Sequence, residues 1–144
     1  MGQRFYNQDK ELIFADGAAA VVASGAGQVA SADKIIDLGA GRFEGVMLFD
    51  VSAVKISAND ELYRLAVQGS NDAGFASGVQ CLAMIDLGAT EVRDGGAIDS
   101  VLGRYEVPFC TEQANVVYRY ARVYAFTNGT SESITYKAWC ATKY

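Results

Sequence analysis

Apolar and polar residues alternate with a period of two over several stretches of the chain, the pattern of half-buried strands. In residues 61–75 (ELYRLAVQGSNDAGF), Tyr63, Leu65 and Val67 fall on one face of a pleated strand and Arg64, Ala66 and Gln68 on the other. Gly69, Ser70, Asn71, Asp72 and Gly74 then stop it, because they supply the positive φ angles and local side-chain hydrogen bonds that a reversal needs. Residues 35–38, 43–54, 79–87, 104–109, 116–127 and 134–142 read as further strands, and 12–15 as a short one. In 43–54, Phe43, Met47, Phe49 and Val51 share one phase, Glu44 and Asp50 the other. Residues 79–87 are dense in apolar side chains, which predicts a strand buried on both faces. The single proline, Pro108, suits an edge strand or a strand end. Residues 116–127 are expected to form the longest strand. Tyr118, Tyr120, Tyr124 and Phe126 occupy one of its faces, and Val117, Ala121, Val123 and Ala125 the other. Both faces are apolar enough to be covered, so the pattern leaves the core side open. Asn128-Gly129 is the strongest hairpin signal in the chain, leading into 134–142.

About eight strands with turn signals between them predict an all-β fold, a jelly-roll-like β-sandwich. The sandwich domain is expected over residues 34–144. Residues 1–16 are expected to be dispensable for folding, and residues 1–33 to form an extended N-terminal arm or long loop. The reason is that 17–33 consist almost wholly of Gly, Ala, Ser and Val, side chains too small to anchor a core segment. The chain also carries an internal echo. Ile36-Asp37-Leu38-Gly39-Ala40 recurs as Ile85-Asp86-Leu87-Gly88-Ala89, and Tyr63-Arg64-Leu65 recurs as Tyr118-Arg119-Tyr120.

Composition narrows the chemistry. With 144 residues, 51% of them hydrophobic and 20% charged, the chain is one globular domain. The net charge of −5 argues against a nucleic-acid surface, which needs a basic face. No run of apolar residues approaches a membrane span, and Asp9, Glu11 and Asp16 argue against a signal peptide, so a soluble chain is expected. Histidine is absent, which removes the commonest general base and metal ligand. Cys81, Cys110 and Cys140 form no CxxC pair and read as buried small hydrophobes. Asp94, Asp99, Glu106 and Glu112 are the surviving carboxylates for a hydrolytic pair, and surface solvation accounts for them. Asn71, Asp72 and Gly74 lack the spacing of a calcium loop and read as a turn. No enzyme, cofactor or metal is expected.

Arg4, Phe5 and Tyr6, with Asn7 and Lys10, stand in the expected arm, where packing within the domain does not account for them; they read as a docking segment. RFYNQDKELIFAD (4–16), IDLGAG (36–41), ELYRLAVQGSNDAGF (61–75), VPF (107–109) and VYRYARV (117–123) together resemble the capsid cement, or decoration, proteins of tailed bacteriophages, of the type found in a Bordetella phage. The likeness covers most of the chain except 17–33 and 88–103. It implies a jelly-roll virion protein, made in the bacterial cytoplasm and added to the outer surface of the head. Such a protein binds the major capsid protein and resists internal DNA pressure. The same resemblance implies a homo-oligomer, a dimer foremost with a trimer as alternative. A carbohydrate-binding sandwich of a phage tail or host-surface adhesin is the second expectation, with Trp139 or Tyr136 as sugar-stacking platforms.

Overall fold

The structure, a computed structural model, describes residues 9–142. Eight strands carry two antiparallel sheets: β1 (Ile13–Asp16), β2 (Gly25–Ala26), β3 (Glu44–Val54), β4 (Leu62–Ser70), β5 (Gln80–Gly88), β6 (Gly103–Cys110), β7 (Tyr120–Asn128) and β8 (Ile134–Thr142). The first sheet runs β1-β8-β3-β6. The second runs β2-β7-β4-β5, with the short Ile36–Asp37 also paired to β7. First pairs with eighth, second with seventh, third with sixth and fourth with fifth. The chain is thus one long folded ribbon wrapped between two layers, an order compatible with the expected jelly roll. Two small ribbons, Gln28–Val29 with Ala32–Asp33 and Glu112–Gln113 with Val116–Val117, decorate it.

The core lies between the layers. The first sheet contributes Phe14, Met47, Phe49, Val51, Ile134 and Tyr136; the second contributes Tyr63, Leu65, Val67, Ala121, Val123 and Ala125. Large side chains face small ones, as dense packing requires. Gly27 shows how close the fit is: a Cβ there would lie 2.4 Å from Val123 Cγ2 and 2.6 Å from the Phe14 carbonyl oxygen. Its amide donates to Val123 O at 2.9 Å. The small-residue face of β7 is therefore the buried one, and its tyrosines and Phe126 face outward. Tyr63 ties two loops to the core end, its hydroxyl donating to Lys55 O (2.7 Å) and accepting from Ser133 N (2.9 Å). A second, smaller cluster of Val46, Leu48, Trp139 and Ala141, with Ile13, lies on the outer face of the first sheet.

Four features differ from the sequence expectation. The arm does not extend to residue 33: β1 is hydrogen-bonded to β8, Phe14 is 0% exposed, and β2 borders β7. The short strand expected at 12–15 is thus an element of the sandwich and not of an arm, and small residues such as Gly27 anchor by close backbone approach instead of by apolar area. Residues 116–127 are not one strand, and β3 is the longest. Positive φ at Ala114 and Asn115 (49° and 66°) folds the first part into the small ribbon. Asn71 then holds the break, donating from Nδ2 to Val117 O (3.1 Å) and accepting at Oδ1 from Arg119 N (3.0 Å). Asn128-Gly129 makes no hairpin, because β7 and β8 belong to different sheets and the turn crosses between them. Finally, β5 is an edge strand with Cys81 and Met84 exposed, not a strand buried on both faces. Cys110 is half-buried, and only Cys140 is the buried small hydrophobe expected, its thiol pushed up to about 12 by burial.

Pro108 does sit on an edge strand, β6. Beside it the edge of β5 is occupied by Gln113, whose Nε2 donates to Cys81 O (3.1 Å) and Leu82 O (3.3 Å). The sequence echo has a physical counterpart. Asp37 accepts from Arg119 at 2.8–2.9 Å, and Asp86 accepts from Arg64 at 3.0 Å, so each IDLGA segment meets the arginine of a YR segment.

Phe14→Ala is expected to cost about 3–5 kcal/mol in chemical denaturation; an unchanged midpoint would place this residue outside the cooperative core. Asp16 accepts from Ala18 N (3.0 Å) and Ala30 N (2.9 Å), and these bonds, led by that to Ala30, hold its carboxyl below the ordinary 3.8. A depressed carboxyl contributes stability above its unfolded pKa and loses it as pH falls through its folded one. The wild type is therefore expected to exceed Asp16→Asn in urea midpoint at neutral pH, and the gap to narrow as pH falls below the ordinary carboxylate range.

Candidate binding surface

The outer face of the second sheet is built from alternate residues of β7, β4 and β5. Tyr124, Ala66 and Met84 lie opposite one another in one row, and Phe126, Arg64 and Asp86 in the next. Ala66 is fully buried, forming a floor between larger neighbours; Met84 is 55% and Phe126 44% exposed. The rings of Tyr124 and Phe126 contact each other at 4.7 Å. The Arg122 guanidinium lies 4.5 Å from the ring centroid of Phe75 and 5.0 Å from that of Tyr124, and donates from Nε to Gln68 Oε1 at 2.8 Å. Arg64 is oriented by Asp86, at 3.0 Å. Aromatic rings, a methionine and two arginines held by neighbours make the composition favoured at protein interfaces, with rotamer freedom already restricted before binding.

A second apolar exposure lies on the loop joining β5 to β6. Arg93 organises it from within, donating to Ser100 Oγ (2.7 Å) and to the Ile98 carbonyl. Thr90 N donates to Asp99 Oδ1 and Thr90 Oγ1 to Gly96 O, each at 2.9 Å. Ser100 donates from N to Gly88 O (3.0 Å) and accepts at Oγ from Gly88 N (2.9 Å), closing the loop at its base. Polar groups fill the inside of the loop, which leaves Ile98 (69% exposed), Val101 and Leu102 facing solvent.

Of the docking residues expected from sequence, Arg4, Phe5, Tyr6 and Asn7 lie outside the described residues. Lys10 is exposed in a 3-10 turn (Lys10–Leu12) whose start is capped by Asp9, accepting from Glu11 N at 3.0 Å. That turn leads into β1 of the first sheet, whereas the aromatic–arginine face belongs to the second. Asp94 and Asp99 sit on the β5–β6 loop, and Asp99 is engaged with Thr90. Glu112 lies 4.0 Å from Arg42. Asp72 accepts from Gly74 N and Ala76 N, each at 3.0 Å, so its oxygens are spent on the turn. Among the described residues no cluster of His, Cys, Asp or Glu is arranged to hold a metal. A depression of about 330 Å³ runs along residues 15–28 with Ser31 and Tyr136, and its one carboxylate, Asp16, is already engaged by the loop itself. Trp139 and Tyr136 are each 3% exposed, so neither presents a ring to a sugar. Arg104 lies 4.9 Å from the Trp139 ring centroid.

Sequence reasoning missed Met84 and Phe126 as surface groups. The signal was in the opposite phase: Ala121, Val123 and Ala125 are the residues small enough to face bulky partners across a core. No family model, no curated protein and no solved structure matches the chain.

Met84→Glu and Phe126→Glu are each expected to change unfolding free energy by no more than about 0.5 kcal/mol. Denaturation with matched circular dichroism checks this; a large loss would show that the face is needed for folding.

Proposed function

We propose that the chain is a structural virion protein that binds the outer surface of a phage head and cements major capsid subunits together. The outer side of its second sheet is the docking face in this reading. The observation that carries it is the exposed Tyr124–Phe126–Met84 surface flanked by Arg64 and Arg122, supported by the segmental resemblance to phage cement proteins. A sheet face whose arginines are already held by neighbours loses little conformational freedom on docking. Repetition over a capsid lattice lets a modest single contact, with self-association of the cement subunit, act with multivalent strength. Cementing asks no turnover of the protein: burial across a joint raises the free energy of parting the two subunits it covers.

The test adds purified full-length protein to isolated heads lacking it, followed by co-sedimentation and negative-stain microscopy after heating and osmotic shock. Wild type is expected to sediment with heads and to lower the fraction that rupture. Heads that neither bind it nor gain resistance overturn the proposal. The Met84→Glu, Phe126→Glu double variant is expected to lose attachment while keeping its circular dichroism; undiminished attachment would move the docking face elsewhere on the molecule.

A further inference from the structure

Asn128-Gly129 is not used as a hairpin turn, and its geometry supports a different role. We infer that Asn128 is a site of spontaneous covalent modification, converting to isoaspartate and aspartate through a cyclic imide closed by the Gly129 nitrogen.

The Gly129 amide nitrogen lies 3.0 Å from Asn128 Oδ1, to which it donates. The nucleophile is therefore held beside the side-chain carbonyl it must attack. Asn128 is exposed, so hydroxide reaches the amide proton and ammonia departs to solvent. Glycine at 129 brings no side chain against the approach. In the reaction, base removes the Gly129 amide proton and the nitrogen attacks Asn128 Cγ. A C–N bond forms, the Cγ–Nδ2 bond breaks, and Nδ2 leaves as ammonia with a proton from water. Water then opens the five-membered imide. Cleavage of its bond to Cγ gives aspartate; cleavage of its bond to the main-chain carbonyl carbon gives isoaspartate. The sum is asparagine plus water to either acid plus ammonia, with no oxidant or reductant.

The other described asparagines differ in the ways that matter. Asn71 has both ends of its amide engaged, by Val117 and Arg119, and precedes Asp72. Asn115 precedes the β-branched Val116, and Asn59 precedes Asp60. The product would also have a defined mechanical effect. Asn128 closes the β7–β4 ladder opposite Leu62, and Thr130 two residues on is clasped by Asp60, through N at 3.0 Å and Oγ1 at 2.7 Å. Isoaspartate adds one carbon to the main chain between ladder and clasp. It also places a new negative charge at the end of the β7 face that carries Tyr124 and Phe126.

Full-length protein is incubated at mildly alkaline pH, folded and in parallel in denaturant, then mapped by peptide mass spectrometry with enzymatic isoaspartate labelling. In the folded protein the Asn128 peptide is expected to deamidate at least about tenfold faster than those of Asn59, Asn71 and Asn115. Asn128→Gln is expected to remove the isoaspartate label, since closure would then need a slower six-membered ring. An Asn128 that stays intact in the folded protein while it converts in the denatured chain overturns the inference. So does another asparagine converting first in the folded state.

Discussion

The two inner faces of this sandwich are unequal, and most of the molecule follows from that. The first sheet fills the interlayer space with Phe14, Met47, Phe49 and Tyr136, so β7 can offer only Ala121, Val123 and Ala125. Even there the neighbouring backbone comes so near that residue 27 must be glycine. Interiors packed like crystals tolerate neither a void nor an extra methylene. The larger side chains of β7 are consequently on the other side of the strand, and an aromatic surface becomes the necessary complement of a core already full.

That constraint also explains what the amino-acid pattern revealed. The class of fold and the inward phase of Tyr63, Leu65 and Val67 were legible, because one face of that strand carries Arg64 and Gln68. β7 was not, because tyrosine is compatible with core and surface alike, and only the volume on the facing sheet decides. The first strand was legible as a short one at 12–15, but not its place in the sandwich: a four-residue run among small residues does not show that Phe14 is wholly buried. The Asn-Gly turn was read locally, whereas the partner of β7 was chosen by a residue pattern far away in the chain. Of the expected docking residues only Lys10 is described, and the face assembled from β4, β5 and β7 has no contiguous signature. Its members come from positions 64 to 126 and meet only through strand register.

Several polar residues that resemble site components serve the backbone instead. Asp16, Asp60, Asn71, Asp72 and Arg93 each satisfy main-chain donors or acceptors of loops that would otherwise stand unpaired. Glu61 is the extreme case: fully buried, it accepts from Ala58 N at 2.9 Å through Oε1, while Oε2 has no hydrogen-bond partner. The loops of this fold are thereby given fixed shapes without disulfides, from side chains whose charge alone would suggest chemistry.

The side of the sandwich where β5 and β6 end the two sheets is where an open β-structure is most exposed to error. On β6, Pro108 removes a main-chain donor; on β5, Gln113 already occupies the carbonyls of Cys81 and Leu82. An incoming strand from another molecule finds one rim missing a donor and the other with two of its carbonyls taken. Edge-to-edge templating is disfavoured over that stretch of the two rims.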